Sequence, residues 1–138
     1  MKKKAIVSVS SKVSGDDEAV EVVTPGDFYK KDNAYYAVYE ETEVSGMEGT
    51  TTTLKIGENK LSLIRMGSTT AKMDFDKKSK SISMYNTPYG TIQLEIETNS
   101  LDININEEGG NVLINYNMAV GGNAPTNTVL TVNIKTQE

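Results

Sequence analysis

The chain has no cysteine, no histidine and no tryptophan. Without thiols there is no disulfide framework and no thiol nucleophile; without imidazole there is no Ser-His-Asp triad and no histidine acid or base. A structural zinc site loses both of its usual ligands at once. Two phenylalanines and seven tyrosines are the whole aromatic supply, so the core has to be built mostly from aliphatic side chains. No apolar run approaches the roughly 20 residues of a membrane-spanning helix. The phosphate-cradling patterns Gly-x-Gly-x-x-Gly and Gly-x-x-x-x-Gly-Lys-Ser/Thr are missing, as is the nucleophile pattern Gly-x-Ser-x-Gly. The expectation is a protein with no catalytic residues, no metal site and no cofactor.

What remains describes one soluble unit. A length of 138 residues suits a single domain spanning 1–138, and 37 % apolar with 24 % charged residues is a globular balance. A net charge of −5, with no basic stripe interleaved with aromatics, disfavours nucleic acid as a partner. Lys2, Lys3 and Lys4 precede Ala5-Ile6-Val7, but the apolar stretch ends at once in Ser8-Val9-Ser10. That is far short of a signal-peptide core of about 7–15 residues. The segment reads as a first strand with a basic leader, and the expected location is cytoplasmic, with no membrane contact.

Period two runs through the chain. Ile92-Leu94-Ile96 alternates with Gln93-Glu95-Glu97, Ala71-Met73-Phe75 with Lys72-Asp74, and Val112-Ile114-Tyr116-Met118 and Leu130-Val132-Ile134 follow the same rule. Ile82-Met84, set between serines, is expected to point inward likewise. Such alternation marks strands with one buried and one wet face. Turn signals recur between these runs, among them Gly15-Asp16-Asp17, Pro25-Gly26-Asp27, Ser45-Gly46, Gly57-Glu58-Asn59, Asp76-Lys77-Lys78, Pro88-Tyr89-Gly90, Gly109-Gly110 and Gly121-Gly122. No ten-residue stretch shows helical spacing. The pattern predicts an all-β fold, an antiparallel meander of about 8–10 strands, and closure into a barrel removes the free edges such a sheet would otherwise expose. A sandwich is the rival, without the core Trp that immunoglobulin-type sandwiches usually carry.

Several segments taken together resemble a known family: Tyr39-Glu40-Glu41-Thr42, Thr51-Thr52-Thr53-Leu54-Lys55-Ile56, Ile64-Arg65-Met66-Gly67, Met73-Asp74-Phe75, Tyr85-Asn86-Thr87-Pro88-Tyr89-Gly90 and Asn115-Tyr116-Asn117-Met118. The series is similar to the YwiB-like family of small bacterial proteins, over roughly residues 1–135. The resemblance implies a lipocalin-like (calycin-like) β-barrel in a bacterial, cytoplasmic setting. It implies no established activity, so no functional residues transfer.

Arg65 is the only arginine among 14 basic residues, and it sits in the apolar strand Leu61-Ser62-Leu63-Ile64-Arg65-Met66. If it shares the parity of Leu61 and Leu63 it points into the barrel, where its charge requires a partner. Glu41 or Glu43 are the candidates, and an outward, solvated arginine is the alternative. Tyr36, Tyr39, Tyr85, Tyr89 and Tyr116 form a second candidate group, since a ring with a polar tip suits a pocket mouth; the plainer role is core bulk in place of Phe and Trp. Glu95 and Glu97 alternate with Ile and Leu and are expected to face water.

Two functions from different classes follow. The first is a small non-enzymatic barrel that binds a small apolar or anionic ligand through Arg65 and the tyrosines. The second is a structural module with a filled interior whose surface meets a protein partner. An internal apolar cavity of about 300 Å³ or more favours the first, and a solid interior the second.

Overall fold

Alternating inward and outward side chains become the pleat of a single sheet. The computed structural model describes residues 2–15, 18–41, 48–68, 70–77 and 80–137, with the side chain of residue 87 set aside. It contains β1 (Lys3–Val13), β2 (Val20–Lys31), β3 (Ala34–Glu40), β4 (Thr50–Ile56) and β5 (Lys60–Gly67). The second half contributes β6 (Ala71–Asp76), β7 (Lys80–Thr87), β8 (Gly90–Asn106), β9 (Gly109–Val120) and β10 (Thr126–Thr136). No helix occurs among the described residues. The sheet order is β6-β5-β4-β3-β2-β1-β10-β9-β8-β7, antiparallel throughout. The sheet is therefore an up-and-down meander in which the first and last strands pair, setting Val7 opposite Ile134 and Val9 opposite Val132.

The barrel is nearly closed. β6 and β7 are the two ends of the ladder, and among the described residues they meet through one bridge, Thr70 with Asn86, whose two N–H···O bonds measure 2.9 and 2.8 Å. Between them the Ser83 hydroxyl donates to the Lys72 carbonyl. This seam corrects one expectation about β7. Ser83 is the buried residue there, while Ile82 and Met84 point outward, 67 % and 51 % exposed. A small hydroxyl on the inner face lets β7 lie close to β6 and gives a freed carbonyl a donor; a larger apolar side chain would hold the strands apart.

Pro25-Gly26-Asp27 is a second correction, because it lies inside β2 and not at a turn. Gly26 faces Ala5 of β1, and the reversal comes later, at Asp32-Asn33, where Asp32 has φ 58°. The β2–β3 ladder runs from Lys31–Ala34 to Asp27–Val38 and stops. Pro25 has no N–H with which to extend it. Gly109-Gly110 opens β9 after a turn at Glu107-Glu108. The runs Ile92–Ile96 and Leu101–Ile105 form one strand, β8, with an irregularity between Thr98 and Ser100 that resets which parity faces inward. The expected turns at 16–17 and Ser45-Gly46, and Lys78 of a third, lie outside the described residues.

Inside sits an aliphatic core that includes Val7, Leu54, Ile56, Leu61, Ile96, Ile114 and Ile134, with Phe28 and Phe75 as its largest rings. Glu95 and Glu97 are exposed.

Gly26→Ala tests the bend in β2. A Cβ at this position meets the Val38 carbonyl oxygen at 2.6 Å and the Tyr39 Cβ at 3.1 Å, so backbone has to move. The expected cost is about 1–3 kcal/mol in urea unfolding. A loss below about 0.5 kcal/mol, the surface range, would show that β3 yields freely at this point.

Candidate functional site

β5 places Leu61, Leu63 and Arg65 on the inner face, and the register carries that face across neighbouring strands. Arg65 lies opposite Thr52 of β4, and Thr52 lies opposite Tyr39 of β3. Tyr39, Thr52 and Arg65 thus form one transverse row inside the barrel. Glu41 follows Tyr39 at the next inward position, its backbone N–H bonded to the Thr50 carbonyl at 2.8 Å. From the far wall β9 directs Tyr116 inward, opposite Thr128 of β10 and Thr98 of β8.

The polar side chains of the first row bond to one another. The Glu41 carboxylate is 3 % exposed, and its Oε2 lies 3.8 Å from the Arg65 Nε, with Arg65 16 % exposed. Thr52 Oγ1 donates to the same carboxylate oxygen. Tyr39 shares a hydrogen bond with Thr52. Tyr116 is hydrogen-bonded to Thr128 and packs against Phe75, ring centroids 4.8 Å apart.

One donor is left over. A 3.8 Å separation carries Coulomb attraction but is too long for a hydrogen bond. Among the described residues, the buried Arg65 Nε–H has no acceptor; Thr98 Oγ1 is the other buried side-chain polar atom without a partner.

Arg65, Glu41, Tyr39 and Tyr116 border a cavity of about 270 Å³ in this half of the barrel. Val9, Val22, Leu63, Met73, Phe75 and Leu130 form its apolar wall, with Val20 and Ser11 toward the β1–β2 end. The volume falls just short of the range of drug-sized sites, about 300–1,000 Å³, and suits a smaller molecule. Glu18 and Glu21 at the start of β2, Glu40 at the end of β3 and Glu48 before β4 are exposed around this end, against Lys12 of β1. A broader depression of about 680 Å³ at the opposite end is bordered by Lys30, Asn33, Tyr35 and Glu58 and opens to solvent. Among the described residues, no three side chains of the metal-ligating types gather at one point.

Of the six residues singled out in the sequence, the structure brings together Arg65, Tyr39 and Tyr116. Arg65 does share the parity of Leu63, and Glu41 is its partner; Glu43 lies outside the described residues. Tyr36 is on the outer face, stacked on Tyr29 with centroids 5.1 Å apart. Tyr89 is 99 % exposed at the β7–β8 turn. Tyr85 points inward from β7 and packs against the core without bordering the cavity. Thr52 and Thr128 were not picked out: threonine is common in strands, and only the register shows which ones lie beside an ionic group.

Burial pushes the Tyr39 hydroxyl far above its ordinary value of 10.0, with the Glu41 charge adding to the rise and Arg65 opposing it. Burial also raises Tyr116, against the hydrogen bond from Thr128 and the charge of Arg65.

The chain matches the family described as a domain of unknown function (DUF1934) over residues 5–132. The uncharacterized beta-barrel protein YwiB of Bacillus subtilis (strain 168) is 30 % identical over 108 residues, which is 78 % of this chain and 74 % of that protein. The crystal structure of ywiB protein from Bacillus subtilis superposes with a TM-score of 0.87 at 24 % identity, covering 99 % of this chain and 94 % of the other.

Two measurements follow from the geometry. Arg65→Ala leaves the Glu41 carboxylate buried and unpaired and should cost about 3–5 kcal/mol in urea melts. Arg65→Lys should cost less without being silent, because a point charge lacks the planar fork; a change for Arg65→Ala within about 0.5 kcal/mol would mean the pair is solvated. The second concerns alkali. The folded state holds Tyr39 and Tyr116 protonated, while the unfolded chain releases these protons at about 10.0. Their contribution to stability is therefore intact below pH 10.0 and lost as the pH rises through the higher folded values. Tyrosinate absorbance should show both hydroxyls ionising only as the barrel unfolds, and Tyr39→Phe should lessen the alkaline loss.

Proposed function

The chain belongs to the DUF1934 family, a domain of unknown function, and from that premise we propose a small non-enzymatic carrier that takes a small, largely apolar molecule into the upper half of its barrel. The observation that carries this reading is the cavity of about 270 Å³ with an apolar wall on one side and the Arg65–Glu41 pair on the other. Sites for small molecules have this form: concave, mostly hydrophobic, with a few polar groups that fix orientation. A ten-stranded barrel whose inner face is largely aliphatic encloses more space than its own side chains fill.

Arg65, Tyr39 and Tyr116 are the binding residues in this reading. Tyr36, Tyr85 and Tyr89 are left out by position. The lipocalin-like character, the bacterial cytoplasm as location and the lack of catalysis belong to the same proposal. They are supported by the bacterial relative, by a chain free of cysteine and histidine, and by exposed outward residues such as Glu95, Glu97, Asn104 and Asn133. An outer-membrane type of barrel would carry an apolar band there.

The alternative is a module that meets a protein partner, and the exposed pair Ile82 and Met84 beside the β6–β7 seam is what speaks for it. Methyl-detected NMR with a set of small amphiphiles separates the two. Shifts concentrated at Val9, Val22, Leu63 and Leu130, and abolished in Leu63→Trp, are expected for the carrier. No binding inside the barrel would overturn it and leave the outer surface as the working part.

A further inference from the structure

The polar side of the cavity wall is occupied with itself. The Glu41 carboxylate, 3 % exposed, accepts from Thr52 and faces Arg65. Tyr39 is hydrogen-bonded to Thr52, and on the far wall Tyr116 is hydrogen-bonded to Thr128. The Arg65 Nε–H, without an acceptor among the described residues, is shielded even from a water molecule and so from any occupant. A polar head set beside these groups gives up its own water and finds partners that are already engaged. That loss is not returned. A charged head loses more, and the Arg65–Glu41 pair, neutral as a whole, compensates neither sign.

Water is held no better. A well-ordered buried water draws on two to four polar partners. A wall whose polar groups bond to one another holds water loosely, and an apolar group that displaces loosely held water gains affinity. The remaining wall favours the same kind of occupant, since Val9, Val22, Leu63 and Leu130 are aliphatic. Phe75 and Tyr116, with ring centroids 4.8 Å apart, and Met73 add aromatic and sulfur contacts. Size sets a further limit. An apolar cavity of about 150 Å³ accepts benzene, so about 270 Å³ admits roughly two fused rings.

Resting on the carrier reading above, we propose that the occupant is a compact hydrocarbon-like molecule, of the size of a single or fused ring pair, with no polar or charged head inside the barrel. The ion pair acts by exclusion. It borders the cavity as a wall whose hydrogen-bonding capacity is directed into the fold, and it turns away ligands that need a partner for a head group.

A series built on one ring tests this in the wild-type chain: toluene, phenol, benzamide, benzoate and benzylamine as its cation, with naphthalene as the larger member. Affinities are read by NMR titration at the methyls of Val22, Leu63 and Leu130, which report the interior and not the acidic rim. Toluene is expected to bind at least about fivefold more tightly than each of the four polar or charged probes, the low end of the cost of burying a polar group without a partner. Naphthalene, which buries more apolar surface, is expected to exceed toluene. Any of the four binding within about fivefold of toluene, or more tightly, would overturn the exclusion of a head group. Naphthalene binding more weakly than toluene would overturn the stated size. In both cases the carrier reading survives. If none of the six moves these methyl signals, the carrier reading itself is overturned.

Discussion

A ten-stranded antiparallel sheet wrapped on itself must fill its interior from the side chains it turns inward, and here these are mainly Val, Ile, Leu and Ala. Cross-strand pairs such as Val7 with Ile134 and Val9 with Val132 fix the register where the first and last strands join. A one-residue slip would exchange the aliphatic set for Ser8, Ser10 and their neighbours. Closure thus depends on strict alternation, and alternation limits interior volume to one residue in two. With Phe28 and Phe75 as the only phenylalanines, a cavity of about 270 Å³ is left in one half of the barrel, beside Phe75 and Tyr116. The cavity follows from a wide barrel lined by modest side chains.

Into that hollow half the chain places an ion pair, a choice that apolar packing alone would not favour. Taking two charges out of water costs several kcal/mol per ion unless geometry and further hydrogen bonds compensate. The compensation is partly in place: Thr52 donates to Glu41, Tyr39 is hydrogen-bonded to Thr52, and all of these sit on adjacent strands in consecutive inward positions. It is incomplete at the Arg65 Nε–H. A purely structural pair would be expected to close that gap with a shorter, forked contact.

Much of this was legible in the sequence because period two is a strong signal and parity transfers directly to burial. The inward set of β9 and β10, and of β8 apart from the exposed Ile92, follows from their alternation, and Arg65 falls inside by the same count from Leu61 and Leu63. Glu41 was one of two candidate partners, with Glu43, named for their place on a nearby strand; only the fold shows Glu41 beside Arg65. The signal failed where parity and hydrophobicity part company. On β7 the serines face inward, since the seam with β6 calls for a small donor, and a hydropathy pattern carries no knowledge of a missing ladder. Pro25-Gly26 resembles a turn for sound local reasons, yet both residues fit a strand that loses one neighbour at that point: Pro25 where no N–H is needed, Gly26 where Val38 and Tyr39 come too near for a side chain. The tyrosines were ambiguous because a ring with a polar tip serves equally on an outer face, as with Tyr36 on Tyr29, and beside an ion pair, as with Tyr39.

Charge is also distributed by the topology. Strands of even and odd number run in opposite directions, so the starts of β1 and β5 and the ends of β2 and β10 share one end of the barrel. Lys2, Lys3, Lys4, Lys30, Lys31, Lys60 and Lys135 are gathered there with Asp32, Glu58, Glu107 and Glu108, all exposed. The opposite end, with Glu18, Glu21, Glu40 and Glu48, is the one that holds the cavity. The interior ion pair therefore sits toward an end where exposed carboxylates outnumber the lysines. In that field the positive member is the better stabilised of the two, and Arg65 requires less from Glu41 than an isolated pair would. This is consistent with the long contact, 3.8 Å, between Arg65 Nε and Glu41 Oε2.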